Sequence, residues 1–373
     1  MADYVIVGGG VYGSALAFLL AKRGADVVLL ESREVGAGAS SGPGRRGVRA
    51  NGRDIRELPL IRRAHEMWPD LHTILGVDPL FERTGHLMLI ERQKDLARAE
   101  RQTAVQNALG TKSSLLDVSA IRDLEPHVAR SILGAVYCPD DGVADHTATT
   151  RAYAAAAQSA GAHLEIGSVV HGFDKADGQV SAVVLDTGER VSVSKDVFVM
   201  ANAGVADLLP WLSLPVWNLA LQVLVSDTME EVPVRHLVGH AHRTLALKAE
   251  DDNKLMISGG HEGIWDPESH TGQAVPDAIL ANLADAAAVY PGLNGLSIEV
   301  ADVSHLESMS IDGIPIIDRC PGLGNMIFAT GWCGHGWAIA PAVAEALVDW
   351  VLDDDLSSML APFSYKRFGD LQG

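Results

Sequence analysis

The run Tyr4-Val5-Ile6-Val7-Gly8-Gly9-Gly10-Val11-Tyr12-Gly13, with Glu31 eighteen positions past its last glycine, decides the fold. Its first four residues are a short β-branched run of the kind that forms a buried parallel strand. Gly8-x-Gly10-x-x-Gly13 then opens residues 14–23, where Ala17, Leu20 and Ala21 recur at helical spacing, and Gly24 closes them. Residues 26–30 make a second strand that ends at Glu31. Strand, glycine turn, helix and strand form a βαβ unit. Gly8 permits the tight turn, Gly10 lets the backbone approach a pyrophosphate, and Gly13 lets helix and strand pack closely. The helix N-terminus, preceded by Val11 and Tyr12, offers free N–H groups and a partial positive charge to that pyrophosphate. Glu31, followed by Ser32 and Arg33, accepts hydrogen bonds from a ribose diol. The unit reads as a site for an ADP moiety and does not itself choose between nicotinamide and flavin.

The rest of the composition narrows the partners. At 373 residues the chain makes two domains or one large one. With 29 basic and 48 acidic side chains its net charge is −19, which argues against nucleic acid as a partner. Apolar residues are 47% and charged residues 21%, a globular balance. Cys138, Cys320 and Cys333 are far apart and odd in number, so no disulfide framework or cysteine-rich zinc site is expected. No run reaches the roughly 18 apolar residues of a membrane span, and the start lacks a basic leader region. A soluble, cytoplasmic protein is expected, with peripheral membrane contact left open.

Past Glu31, residues 36–42 are small (Gly36, Ala37, Gly38, Ala39, Ser40, Ser41, Gly42), which lets backbone pass against a flat ligand. Arg45, Arg46, Arg49, Arg53 and Arg56 then fall within twelve positions of a strongly acidic chain. Arginine is the natural fork for carboxylate or phosphate. Near the other end, residues 325–329 read as a strand, 330–336 (TGWCGHG) as a glycine turn, and 338–352 as a helix with Pro341 in its first turn. This is a second anion-stabilising device. A ring that takes up two electrons needs one where negative charge develops. His335 adds a donor there.

On residues 5–31, 36–41 and 330–336, the sequence resembles the D-amino-acid-oxidase-like (DAO family) FAD-dependent oxidoreductases. These include sarcosine oxidase, glycine oxidase and the flavin subunits of proline and hydroxyproline dehydrogenases. Weaker similarity runs along nearly the whole chain. The resemblance implies an α/β plus α+β fold: a Rossmann-like FAD-binding domain of glutathione-reductase type with an interleaved substrate domain built on a large antiparallel sheet. Residues 1–80, 145–210 and 307–373 would form the first, and 81–144 and 211–306 the second. FAD would be held by the glycine turn and Glu31 region named above and by Ser40 and Ser41. Val170 would touch the adenine side, and Ala201 and Gly204 the pyrophosphate or ribose. Gly313, Gly331, Trp332, Gly334 and Gly336 would follow the isoalloxazine. Arg46 would contact that ring, Arg49 would pair the substrate carboxylate, and His261 and His335 would shape the pocket. Covalent members carry a linking cysteine seven positions before Asp312; here that position is His305, so non-covalent FAD is expected.

The activity so implied is oxidation of the C–N bond of a small amino or imino acid (secondary, N-methyl or D-), by hydride transfer from Cα to flavin N5. Sarcosine oxidases use a lysine over the flavin to activate O2. The matching position, four before His261, is Ile257, which favours a dehydrogenase passing electrons to a carrier, quinone or partner subunit over an oxidase. One alternative is a hydroxy-acid or glycerol-phosphate dehydrogenase on the same fold. Another is a non-catalytic flavin-binding subunit or assembly factor of a larger complex.

Between the motifs, residues 60–74, 95–109 and 147–160 read as helices. Residues 81–90, 162–167 and 197–200 read as strands, with a hairpin over 244–258. Trp211 and Trp217 would begin the large sheet. Residues 140–142 (Asp-Asp-Gly) read as a turn. His236, His240 and His242 lack an H-E-x-x-H or CxxC partner set and read as surface or loop histidines, so no metal is expected.

Overall fold

The computed structural model describes residues 1–40 and 44–369; Ser41, one expected cofactor contact, lies outside them. Tyr4–Val7 is central in a six-stranded sheet. The order is Ile316–Arg319, Met326–Thr330, Val197–Val199, Tyr4–Val7, Val27–Glu31, His163–Ile166. All neighbours are parallel except the first pair. Side chains alternate between two cores, as strand geometry demands. Tyr4 and Ile6 pack with helices Val11–Lys22, His146–Ser159 and Ala340–Asp353. Val5 and Val7 pack with the three-stranded sheet formed by Val170–Ala176, Gln179–Leu185 and Arg190–Ser192. A strand covered on both faces must be apolar at every position, which is why Tyr4–Val7 has no polar residue.

The second large sheet has eight strands. They run Ile298–Asp302, Val223–Ser226, Lys254–Ser258, Ala246–Glu250, Leu237–His240, His86–Ile90, Gly134–Cys138, Ser114–Leu116. It is antiparallel except where Leu237–His240 runs parallel to His86–Ile90. One face packs Leu87, Leu89, Leu224, Leu247 and Ile257 against Ala286 and Val289 of helix Pro276–Val289. From the other, Ala246, Lys248 and Met256 line a cavity. Among the described residues no helix is long and apolar enough to cross a membrane.

Several local expectations give way to geometry. The arginine segment is a strand: Arg45–Val48 pairs antiparallel with Gly142–Asp145, Arg46 opposite Ala144. The fully buried Asp141 carboxylate clamps its far end, accepting the Ala50 and Asn51 N–H groups at 2.7 and 3.1 Å. Residues 81–90 split into Phe81–Glu82 and His86–Ile90, which join different sheets. Gly85 sits between them at φ 73°, where a Cβ would fall 2.7 Å from the Tyr137 ring. Residues 58–75 break at Pro69 into Leu58–Met67, a tight turn and Leu71–Leu75. Val216–Ala220 does not enter the large sheet. Leu306–Ser310 takes its pairing edge to make a separate ribbon, leaving Trp211 and Trp217 exposed.

Candidate active site

A cavity of about 1280 Å³ is lined by both ends of the chain and by the concave face of the eight-stranded sheet. At its floor lies the first glycine turn. A Cβ on Gly8, at φ 106°, would meet the Met200 carbonyl oxygen at 2.8 Å, and one on Gly13 would meet the Gly8 oxygen at 1.9 Å. Gly10 is different: a Cβ there would meet nothing within 4 Å. Gly8 and Gly10 therefore line the cavity while Gly13 serves packing behind it. Glu31 is held rigidly beside the turn. One carboxylate oxygen accepts the Gly9 N–H at 2.6 Å and the other the Arg33 N–H at 2.8 Å. Val11, Tyr12, Glu31, Ser32, Arg33, Ser40, Val170, Ala201 and Gly204 are all on the cavity wall.

The C-terminal turn closes over the N-terminal one. Tyr12 stacks on Trp332 and donates its hydroxyl hydrogen to the Gly336 carbonyl. The Gly334 N–H donates to the buried Glu307 carboxylate at 2.7 Å, and Asn202 Nδ2 donates to its other oxygen at 3.3 Å. Burial pushes the Glu307 carboxyl above its ordinary range. Trp332, Gly334, His335 and Gly336 line the cavity; Gly331 and Gly313 do not. Gly331 is turned into the protein, where a Cβ would sit 3.0 Å from that of Ser310. Gly313 lies in an exposed turn, while its neighbour Asp312 is engaged by Arg56 and Arg367.

Arg46, Arg49 and Arg53 form one wall. Arg49 Nη1 donates to the Asn51 carbonyl at 2.7 Å, and Arg53 Nε to the Arg49 carbonyl at 3.1 Å. Burial, reinforced by the Arg53 charge, draws Arg49 down to about 9. Behind them Glu57 is fully buried with neither oxygen hydrogen-bonded, and burial raises its pKa despite Arg53. His335 Nδ1 lies 4.0 Å from it. Burial, then the charges of Arg53 and Arg49, hold His335 well below the usual histidine range, so it is neutral.

The polar atoms fit the cofactor that the glycine turns imply. Arg53 Nη1, His146 Nδ1, Asn202 Oδ1, Gln222 Nε2, His335 Nδ1 and Trp337 Nε1 are buried without hydrogen-bond partners, and all six residues line this cavity. Orphaned buried polar groups are rare in folded proteins. Their convergence here suits a ligand rimmed with donors and acceptors, beside a glycine whose missing side chain leaves room for phosphate.

His261 is not in the cavity wall, although Gly260 and Glu262 are. Glu262 bridges Leu221, and the His261 carbonyl accepts the Gln222 N–H at 2.8 Å. The strand Lys254–Ser258 has ended by then, and Gly259 and Gly260 bend the chain at φ 138° and 115° just before His261. Glu57 and His146 were not singled out by sequence, and Arg53 only as one of five clustered arginines; Lys248 lies in the expected hairpin but does not align with the oxygen-activating lysine of sarcosine oxidases. Lys248 is only 7% exposed, lines the cavity, and makes no hydrogen bond among the described residues. It stands directly across the hairpin from Met256. Counting back from His261 along a single strand could not find it; the hairpin register could.

Of the three histidines, His242 is an exposed loop residue and His236 a half-buried one in a bend, as expected, whereas His240 closes a buried strand. His240 is buried, and His236 Nδ1 lies 2.7 Å from Glu125. The His240 and His242 Nε2 atoms are 3.5 and 3.6 Å from Glu91 Oε2. The same oxygen takes Arg243 Nε at 2.7 Å. His240 Nδ1 accepts the His242 and Arg243 N–H groups, which puts its proton on Nε2, facing Glu91. The cluster is thereby an ion-pair and hydrogen-bond network around one carboxylate.

Comparison with known proteins agrees with this geometry. Residues 3–350 match the DAO family model, described as FAD dependent oxidoreductase. The chain is 26% identical to the sarcosine oxidase subunit beta of Arthrobacter sp, covering 98% of this chain and 91% of the other. It is 27% identical to the glycine oxidase of Geobacillus kaustophilus, covering 98% and 97%. It spans only 55% of the bifunctional ThiO/ThiG protein of Trichormus variabilis. The crystal structure of an L-proline dehydrogenase from P. horikoshii superposes with a TM-score of 0.88 at 22% identity, covering 98% of this chain and 97% of that one. With both glycine turns and the cavity between them accounted for, the chain belongs to the DAO family of FAD-dependent oxidoreductases.

Proposed function

We propose that this protein oxidises the C–N bond of a small amino or imino acid, with a secondary, N-methyl or D-configured amine as the preferred class. One observation carries the reading: a half-buried guanidinium, Arg49, faces the cavity that the two glycine turns enclose. Bound FAD supplies the two-electron acceptor for a hydride leaving the substrate Cα, which turns the amine into an imine. The chain supplies position and field. Arg49 pairs the substrate carboxylate, fixing which face of Cα is presented. Neutral His335 and Trp337 wall the reacting space and offer ring N–H groups without adding charge. Gly8, Gly10 and the start of helix Val11–Lys22 cradle the diphosphate, and Glu31 holds the ribose. The Gly334 and His335 N–H groups are already donated to Glu307 and the Trp332 carbonyl, so the ring nitrogens of His335 and Trp337 would be the donors for charge that develops on the flavin. Non-covalent attachment is part of the reading, with His305 as a cavity-lining neighbour. Acid precipitation should leave the flavin in the supernatant.

For the second half-reaction we favour a carrier, quinone or partner subunit over O2. Lys248 gives the oxidase reading a specific footing, since it places an amine in the cavity wall. Burial and Arg46 pull that amine toward its neutral form, which weakens it as a fixed positive charge. Stopped-flow reoxidation of the reduced enzyme in air decides between them; fast peroxide production would overturn the carrier. The substrate class is tested by anaerobic bleaching of the flavin with D-amino acids, prolines and N-methyl amino acids. Bleaching by glycerol phosphate or a hydroxy acid instead would replace the reading. No bleaching by any of them would make the protein a flavin-binding subunit.

A further inference from the structure

We propose that Lys248 is the proton acceptor of this site: its amine takes a proton from the substrate's ammonium group as the zwitterion binds. The inference rests on the amino-acid reading above and names the group that prepares the substrate. An amine can release hydride from Cα only when its nitrogen lone pair is free to form the C=N bond. An ammonium has no free pair. The proton must leave first, breaking one N–H bond on the substrate and forming one on Lys248. No oxidant or reductant is consumed, and the total charge of the site is unchanged.

The geometry meets each requirement. Lys248 is more than nine-tenths buried, lines the cavity shared with Arg49, and makes no hydrogen bond among the described residues. Its strand neighbour across the hairpin is Met256, which offers no proton and no charge. From the strand Arg45–Val48, Arg46 faces the same space; its Nη1 lies 3.5 Å from Met256 Sδ. Arg49 adds a second cation just beyond that strand. Leu237 lines the cavity from Leu237–His240, the other flanking strand, without adding charge. The one opposing charge is Glu250, two residues along the same strand, whose carboxylate accepts the Arg45 N–H at 3.2 Å. Burial, then Arg46, and last Arg49 disfavour the ammonium form of Lys248, with Glu250 opposing them. Before substrate binds, the amine is thus drawn toward the form with an available lone pair. A carboxylate entering beside Arg49 brings the negative charge that stabilises Lys248 once protonated. Substrate binding and proton acceptance are therefore coupled, and an uncharged ligand would not drive the transfer.

The test is the pH profile of anaerobic flavin reduction in the FAD-loaded enzyme, with glycine, sarcosine and L-proline as probes. In the Lys248→Met variant, reduction at pH 7.5 should fall roughly 100-fold, the usual scale of a lost general base. It should recover toward the wild-type rate as pH rises through the substrate's own ammonium pKa, where the amine arrives already neutral. Glu250→Gln should move the acid limb of the profile to lower pH, because it removes the charge that favours protonated Lys248. A readout independent of turnover is the pH titration of lysine acetylation by acetic anhydride, followed by peptide mass spectrometry. Lys248 should label at a lower pH than the surface lysines; labelling together with them overturns the proposal. So does an equal loss of Lys248→Met at every pH, or normal reduction with slowed reoxidation in air. If neither these probes nor the D-amino acids bleach the wild type, the amino-acid reading falls and this one with it. Bleaching with a profile untouched by Lys248→Met removes only the present inference.

Discussion

The ring of Tyr12 lies flat on that of Trp332, centroids 3.9 Å apart and planes 12° from parallel, so the first glycine turn is stacked on the last. Tyr12 is in the first turn of helix Val11–Lys22 and Trp332 in the C-terminal turn, both on the cavity wall, and the stack sets the spacing between them. Trp332→Ala removes a 5%-exposed indole and leaves a cavity at that junction. It should cost about 3–5 kcal/mol of folding stability, read as a drop in the urea midpoint of the FAD-free protein, together with weaker FAD retention. Tyr12→Phe keeps the stack and loses only the hydrogen bond to the Gly336 carbonyl. About 1 kcal/mol is expected from that change.

The three fingerprint glycines should separate by phenotype. A Cβ on Gly13 runs into the Gly8 carbonyl at 1.9 Å, with backbone on both sides of the clash. Gly13→Ala should destabilise the fold itself and be recovered poorly or unfolded. A Cβ on Gly10 meets no protein atom within 4 Å. Gly10→Ala should therefore fold with a near-normal melting temperature yet lose FAD, giving a colourless protein that is hard to reconstitute. A yellow Gly10→Ala would mean that the diphosphate lies elsewhere.

These glycines also show what the sequence could and could not reveal. Gly8, Gly10, Gly13 and Glu31 were legible because each answers to a local rule of turn, approach and packing. The C-terminal turn was legible for the same reason, although Gly331 and Gly313 proved to serve the backbone rather than the cavity. The site positions of Lys248, Arg53 and Glu57 were not legible, because they meet only through pairings between distant strands and helices. His261 is outside the cavity wall because two glycines at positive φ bend the chain after Ser258, so spacing along the hairpin does not fix where it lands. Asp141 looked like a turn residue; only the fold brings its carboxylate under Ala50 and Asn51.

Arg49 should divide binding from chemistry. If its guanidinium pairs the substrate carboxylate, Arg49→Ala raises KM for carboxylate substrates by at least about tenfold, the scale of one charge-assisted pair. Arg49→Lys should recover part of this, since an ammonium restores charge but not the two-pronged geometry. Substrate analogues lacking the carboxylate should show little difference among the three proteins. Unchanged kinetics in Arg49→Ala would take this residue out of the substrate site.

Asp141 offers a pH test of how the arginine wall is held. Burial pushes its carboxyl up to about 6, against the downward pull of the Ala50 and Asn51 N–H groups. His65 is drawn down to about 4 and His86 well below its ordinary value, both by burial, so neither offsets the charge near neutrality. A carboxyl whose pKa is higher folded than unfolded contributes its stability at low pH, below its ordinary 3.8. That contribution fades as pH rises through the folded value. Above about pH 6 the protein thus carries an ionised group in a site that disfavours it. Asp141→Asn does not titrate and presents an NH2 where one of two backbone donors points, so it should be less stable than wild type at every pH. The gap should be wide near pH 5 and narrower at pH 8, because only the wild type loses stability across that interval. Denaturant midpoints of both proteins at the two pH values measure it directly, with other titrating groups cancelling in the difference. A gap that widens toward pH 8 would mean that the ionised carboxylate is the stabilised form, with Arg49 and Arg53 outweighing the burial that surrounds it.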